Sequence, residues 1–120
     1  MRRDMDFVRH ILQVCEESDN PVNASVFVDN EHPLKLVLHH YRIMAQADLV
    51  DAAFNGTWNG GTMRATINEL TWQGHEFLDA TRSDTLWTKT KQKVGATLGT
   101  VSFATLSHLA ETLADKALGI

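Results

Sequence analysis

Asn30-Glu31-His32-Pro33-Leu34-Lys35-Leu36-Val37-Leu38-His39-His40-Tyr41-Arg42-Ile43-Met44-Ala45-Gln46-Ala47 runs straight into Asp48-Leu49-Val50-Asp51-Ala52-Ala53-Phe54-Asn55-Gly56-Thr57-Trp58-Asn59-Gly60-Gly61. The first half has helical periodicity. Leu34, Val37, Leu38 and Tyr41, continued by Met44 and Ala45, fall on one face, and Lys35, His39, Arg42 and Gln46 fall on the other. Asn30 is a good N-cap, and Pro33 in the first turn costs little because its missing N–H would be unpaired there anyway. The second half changes period. Residues 49–54 and 62–70 are β-rich and flank a glycine-rich turn, which predicts an antiparallel hairpin. A helix feeding directly into a hairpin is the C-terminal half of a winged helix-turn-helix, with residues 30–47 in the recognition position and the hairpin as the wing.

Working outward, residues 4–17 predict a first helix. Val8, Ile11, Leu12 and Cys15 form its apolar stripe, and Asp4 and Asp6 sit where the helix dipole favours negative charge. Ser18-Asp19-Asn20-Pro21 stops it. Residues 24–28, with Val26, Phe27 and Val28, fit a short edge strand or an irregular stand-in for a short helix; the strand is the expectation here. Beyond the hairpin, Thr71 caps a helix over 72–81 and Ser83 or Asp84 caps one to about Val94. After a loop at 95–100, Ser102 opens a last helix reaching about Leu118 with Phe103, Leu106, Leu109, Ala110 and Leu113 as its stripe. The fold expected is mainly α with a small antiparallel hairpin, an α+β winged helix-turn-helix followed by C-terminal helices. It is read as one domain over 1–120, with helices and wing to residue 70 and the C-terminal helices after it.

With 120 residues, the chain can bury a core without a disulfide or metal staple. Its single cysteine, Cys15, suits a reducing compartment, and no apolar run approaches a membrane span, so the expected location is the cytoplasm. The formal net charge of −4 lowers the expectation of nucleic-acid binding, whose affinity comes largely from neutralised phosphates, without excluding a local basic face.

The opening Arg2-Arg3-Asp4-Met5-Asp6-Phe7-Val8-Arg9-His10-Ile11-Leu12 and the runs Leu70-Thr71-Trp72-Gln73-Gly74-His75-Glu76-Phe77-Leu78-Asp79-Ala80 and Asp84-Thr85-Leu86-Trp87-Thr88-Lys89-Thr90-Lys91 resemble the motifs of an uncharacterised family of small bacterial and bacteriophage proteins, common in prophages. The resemblance implies a winged-helix-like fold and a phage setting, and lends no function. The middle departs from it: Asp48 stands where that family usually has glycine.

No catalytic or metal-binding pattern stands out. The six histidines lack ligand spacing; the adjacent His39 and His40 lie about 100° apart on a helix and cannot share a metal. Cys15, on an apolar stripe, reads as a small hydrophobe. The glycine turn at 55–61 is no phosphate loop, because it lacks the lysine and precedes a strand. Trp72, Phe77, Leu78 and Trp87 read as core, and Gly74 inside a helix suggests close approach of a neighbouring element. Arg82, Lys89, Lys91 and Lys93 read as a solvated face. No enzyme, cofactor or metal is expected. Binding remains, to DNA or to a host protein. The DNA reading, slightly favoured by fold analogy, uses Lys35, His39, Arg42 and Gln46 on the reading helix, Arg64 on the wing, and Arg2 and Arg3 on phosphate. So few cations make a homodimer through the C-terminal helices the expected state. The protein-partner reading, such as a phage inhibitor of a host enzyme or defence complex, uses Trp58 at the wing tip as an aromatic anchor.

Overall fold

A computed structural model describes residues 1–59 and 61–119; Gly60, at the tip of the expected turn, and Ile120 lie outside the described residues. Helix α1 (Met5–Glu17) begins where the Asp4 carboxylate accepts the Phe7 N–H, and it buries Val8, Ile11, Leu12 and Cys15 together with Met5 and Phe7. Strand β1 (Val22–Asn23) follows, then a 3-10 turn (Ala24–Phe27), helix α2 (Leu34–Gln46), and the hairpin β2 (Val50–Asn55) and β3 (Arg64–Leu70). The C-terminal helices are α3 (Trp72–Thr81), α4 (Asp84–Val94) and α5 (Phe103–Ala117), with a second 3-10 turn (Gly95–Thr97) before α5. The sheet is antiparallel in the order β1-β3-β2. That order, with α2 entering the hairpin, is the winged-helix arrangement, with one 3-10 turn standing where its middle helix would be.

The strand expected at residues 24–28 is therefore not one. The Asn23 side chain accepts the Ser25 N–H and turns the chain into a 3-10 coil. Ala24 and Phe27 point inward while Val26 and Val28 face solvent. The short strand lies just upstream, where Val22 pairs with Ile67 and the Tyr41 hydroxyl donates to the Val22 carbonyl. Helix α2 also starts later than Asn30. Asp29 instead closes a turn of its own, accepting the Glu31 and His32 N–H groups, and Pro33 caps the helix without a side-chain bond.

The hairpin pairs Asn55 with Arg64 and Val50 with Leu70, with a bulge at Asn68. Its inner face (Val50, Ala65, Ile67, Leu70) meets Ile11, Leu12, Val37, Tyr41 and Met44 in one core that extends through Phe77, Leu78, Trp87 and Leu106. Gly56 closes the wing at φ +102°, where a Cβ would lie 2.3 Å from the Thr62 carbonyl oxygen. Gly74 serves a different need: α3 crosses the α2–β2 junction so closely that a Cβ there would stand 2.0 Å from the Leu49 carbonyl oxygen. At the same junction Asp48 takes the left-handed conformation, φ 59°, which L-residues adopt reluctantly and glycine freely. This explains the glycine usual at this position in the family resembled.

Two expectations about side chains need correcting. Trp72 is not core: it opens α3, is 77% exposed, and has its indole N–H held by Glu76 one turn on. Arg3 is not free for phosphate, since its guanidinium donates to the Gly99 and Val101 carbonyls and straps the N-terminus to the segment before α5.

Candidate functional site

The residues expected to bind lie on α2 and the wing. Lys35, His39, Arg42 and Gln46 recur at steps of one or two helical turns, so their side chains leave the same side of α2; Lys35, Arg42 and Gln46 are exposed and His39 is half-buried. Burial first, then the N-terminal ammonium and the Arg42 guanidinium, hold His39 below the usual histidine range, so at neutral pH it offers hydrogen bonds rather than charge.

The wing folds toward this helix. Trp58 is 43% exposed, its ring 6.1 Å from that of Phe54, and the Arg42 guanidinium stands 5.1 Å over it. A cation–π contact of this kind contributes about 0.5–1 kcal/mol at an exposed site and favours the wing lying toward the helix. The neck below is pinned: the Thr57 N–H donates to the Thr62 hydroxyl, and the Thr62 N–H returns to the Thr57 carbonyl. Arg64, on the first residue of β3, is exposed nearer the start of α2, where it lines a groove of about 300 Å³ with Leu34, Leu38, Met63 and Ala65. Trp58 and Arg42 thus join as one unit, and Arg64 flanks the same helix from its other end.

Part of the chain's positive charge is paired within the fold, while Lys89 and Lys93 on α4, like the cations of α2 and the wing, form no ion pair among the described residues. Arg9 bonds Asp84, Arg82 bonds Glu16 and Asp79, and Lys91 bonds Asp6, each at 2.9 Å or less. Among the described residues, Lys35, Arg42 and Arg64 form no ion pair and no side-chain hydrogen bond. Sequence reasoning missed Leu34, assigned to the apolar face yet 42% exposed at the mouth of the groove. With the helix read as starting at Asn30, Leu34 falls past the first turn; only the later start after Pro33 makes it the first helical residue.

The residues of ordinary chemistry have structural surroundings. Burial pushes the Cys15 thiol up to about 12, which keeps it protonated at neutral pH. His40 is fully buried; its Nε2 accepts the Asp4 N–H, so the proton sits on Nδ1, which donates to the Leu36 carbonyl. Among the described residues no group of three or more His, Cys, Asp or Glu could hold a metal ion, and no helix is long and apolar enough to cross a membrane.

The fold is that of an α+β winged-helix protein, with Lys35, Arg42 and Arg64 exposed on α2 and the wing. The chain belongs to the DUF2513 family of hypothetical proteins, whose family model matches residues 2–100. It is similar to an uncharacterized protein of Haemophilus influenzae, 29% identical over 120 residues that cover 98% of this chain and 99% of that one. No solved structure matches it.

Proposed function

We propose that this chain is a DNA-binding winged-helix protein that acts by binding rather than by catalysis. The observation behind this is a set of cations without partners gathered on one surface: Lys35, Arg42 and Arg64 form no ion pair among the described residues, whereas Arg9, Arg82 and Lys91 end on carboxylates of the chain itself. On this reading α2 enters the major groove. Lys35, Arg42 and Gln46 reach phosphates or base edges, neutral His39 adds a hydrogen bond, and Arg64 holds phosphate from the wing. The resemblance to small prophage proteins supports a regulator as the setting, and the lone reduced thiol supports the cytoplasm as its place. Three cations per chain favour action as a homodimer, which light scattering reads directly.

The test is fluorescence anisotropy of a labelled random duplex. Binding should appear at low salt and weaken with a log–log slope of about −0.9 for each phosphate contact. The triple change Lys35→Ala, Arg42→Ala, Arg64→Ala should abolish it while the fold is kept. No binding at low salt removes the proposal.

A second reading rests on Trp58. A half-exposed tryptophan stacked with an arginine has the composition of an interface hot spot, and Val26, Val28 and Leu34 add exposed apolar surface. A host protein is the partner on this reading. Trp58→Ala then weakens the protein complex.

A further inference from the structure

A second surface lies on the C-terminal helices. Large aromatic side chains normally lose most of their exposed area on folding, as Trp87 does here at 3%. Trp72 does not. Its indole N–H donates to the Glu76 carboxylate, and this i, i+4 bond lays the ring along α3 instead of letting it reach the core.

Glu76 also lines a groove of about 410 Å³ between α3, α5 and the end of α2. Its apolar lining is Ala47, Phe103 and Ala104, and its polar lining includes Gln73, Glu76 and Glu111. No lysine or arginine lines it, and among the described residues no cation pairs with Glu76 or Glu111. The groove therefore combines two uncompensated carboxylates, a half-buried phenyl ring and an exposed indole at its edge.

We propose that this groove is a docking site for a basic, arginine-bearing segment of a partner protein. A guanidinium meets each element of the lining. It donates to the Glu76 and Glu111 carboxylates, stacks on the exposed Trp72 face, and lays its alkyl stem and an apolar neighbour along Phe103 and Ala47. Charge complementarity selects this occupant, since the same carboxylates repel nucleic acid and acidic peptides. The site shares no residue with the α2–wing surface, so it stands whether or not that surface binds DNA.

The test uses the isotope-labelled full chain and a short synthetic peptide of alternating arginine and leucine. Indole N–H signals report Trp72 and Trp87 separately. The expected result is a saturable shift of the Trp72 signal with Trp87 unmoved, weakening as salt is raised. The double change Glu76→Gln, Glu111→Gln keeps an acceptor for the indole and removes only charge; it should raise Kd about tenfold. Trp72→Ala, at an exposed position, should weaken binding similarly without loss of helicity by circular dichroism. The proposal is overturned if the Trp72 signal stays still, if a peptide with glutamine in place of arginine shifts it equally, or if the double variant binds as the parent does. A shift on concentrating the protein alone also overturns it, because the occupant is then a second copy of the chain.

Discussion

Arg9 and Arg42 are the same residue type put to opposite uses. Arg9 is nearly buried; it donates to the Thr81 and Arg82 carbonyls at the end of α3 and to Asp84 at the start of α4, so it closes a helix junction. Arg42 stands in solvent, over an indole ring, with no carboxylate among the described residues. The adjacent histidines repeat the division. His40 has both ring nitrogens committed inside the fold, and His39, one residue earlier, lies beside the N-terminus at the surface. What separates the members of each pair is not their charge but whether the fold has already satisfied the side chain.

This contrast can be broken most forcefully at Arg9. Arg9→Met removes the donor of the buried Thr81 carbonyl and of the partly buried Arg82 carbonyl, and should cost about 2–3 kcal/mol in urea denaturation. Lys35→Ala, Arg42→Ala and Arg64→Ala should each stay within about 0.5 kcal/mol of the parent. Equal losses on both sides would end the distinction.

Acid tests the histidines. Burial holds the folded pKa of His40 below its unfolded value of about 6.5, with the Leu36 carbonyl pulling the other way. The unfolded chain therefore binds the proton first. Stability is full above that value and declines as pH falls from it toward the folded pKa. Protonation would also turn Nε2 from acceptor to donor against the Asp4 N–H. A His40→Gln variant should be less stable at neutral pH but show a flatter profile in this window; a profile as steep as the parent's would locate the effect elsewhere.

A small gain is expected at the end of α2. Asp48→Gly relieves the left-handed backbone and should add about 0.5–1 kcal/mol, read as a raised urea midpoint with the slope unchanged.

Much of this fold is written in local chemistry. Thr71, Ser83 and Ser102 each cap the helix they were expected to cap, because a short oxygen-bearing side chain ahead of an apolar period is a local signal; Asp4, expected only to favour the helix dipole, caps α1 as well. The hairpin registers for the same reason, and Gly74 sits at a close approach. What failed was decided at a distance or by competition. Val26 and Val28 have strand propensity, yet Asn23 turns the backbone before a ladder can form. Trp72 is apolar enough for core, but no element covers the first residue of α3, and Glu76 offers its N–H a partner on the surface. Of the candidate site, the α2 face was legible from periodicity. The Arg42–Trp58 contact and the groove beneath Arg64 were not, since each joins segments far apart in the chain.

The hydrogen atom that Gly74 presents to the Leu49 carbonyl leaves no slack between the winged half and the helices behind it. A fragment cut after Leu70 would inherit an open seam along Leu49, Leu70 and Met44 rather than a finished surface. Anyone grafting the α2–wing unit onto another scaffold must therefore carry α3 with it, or replace that seam with polar residues.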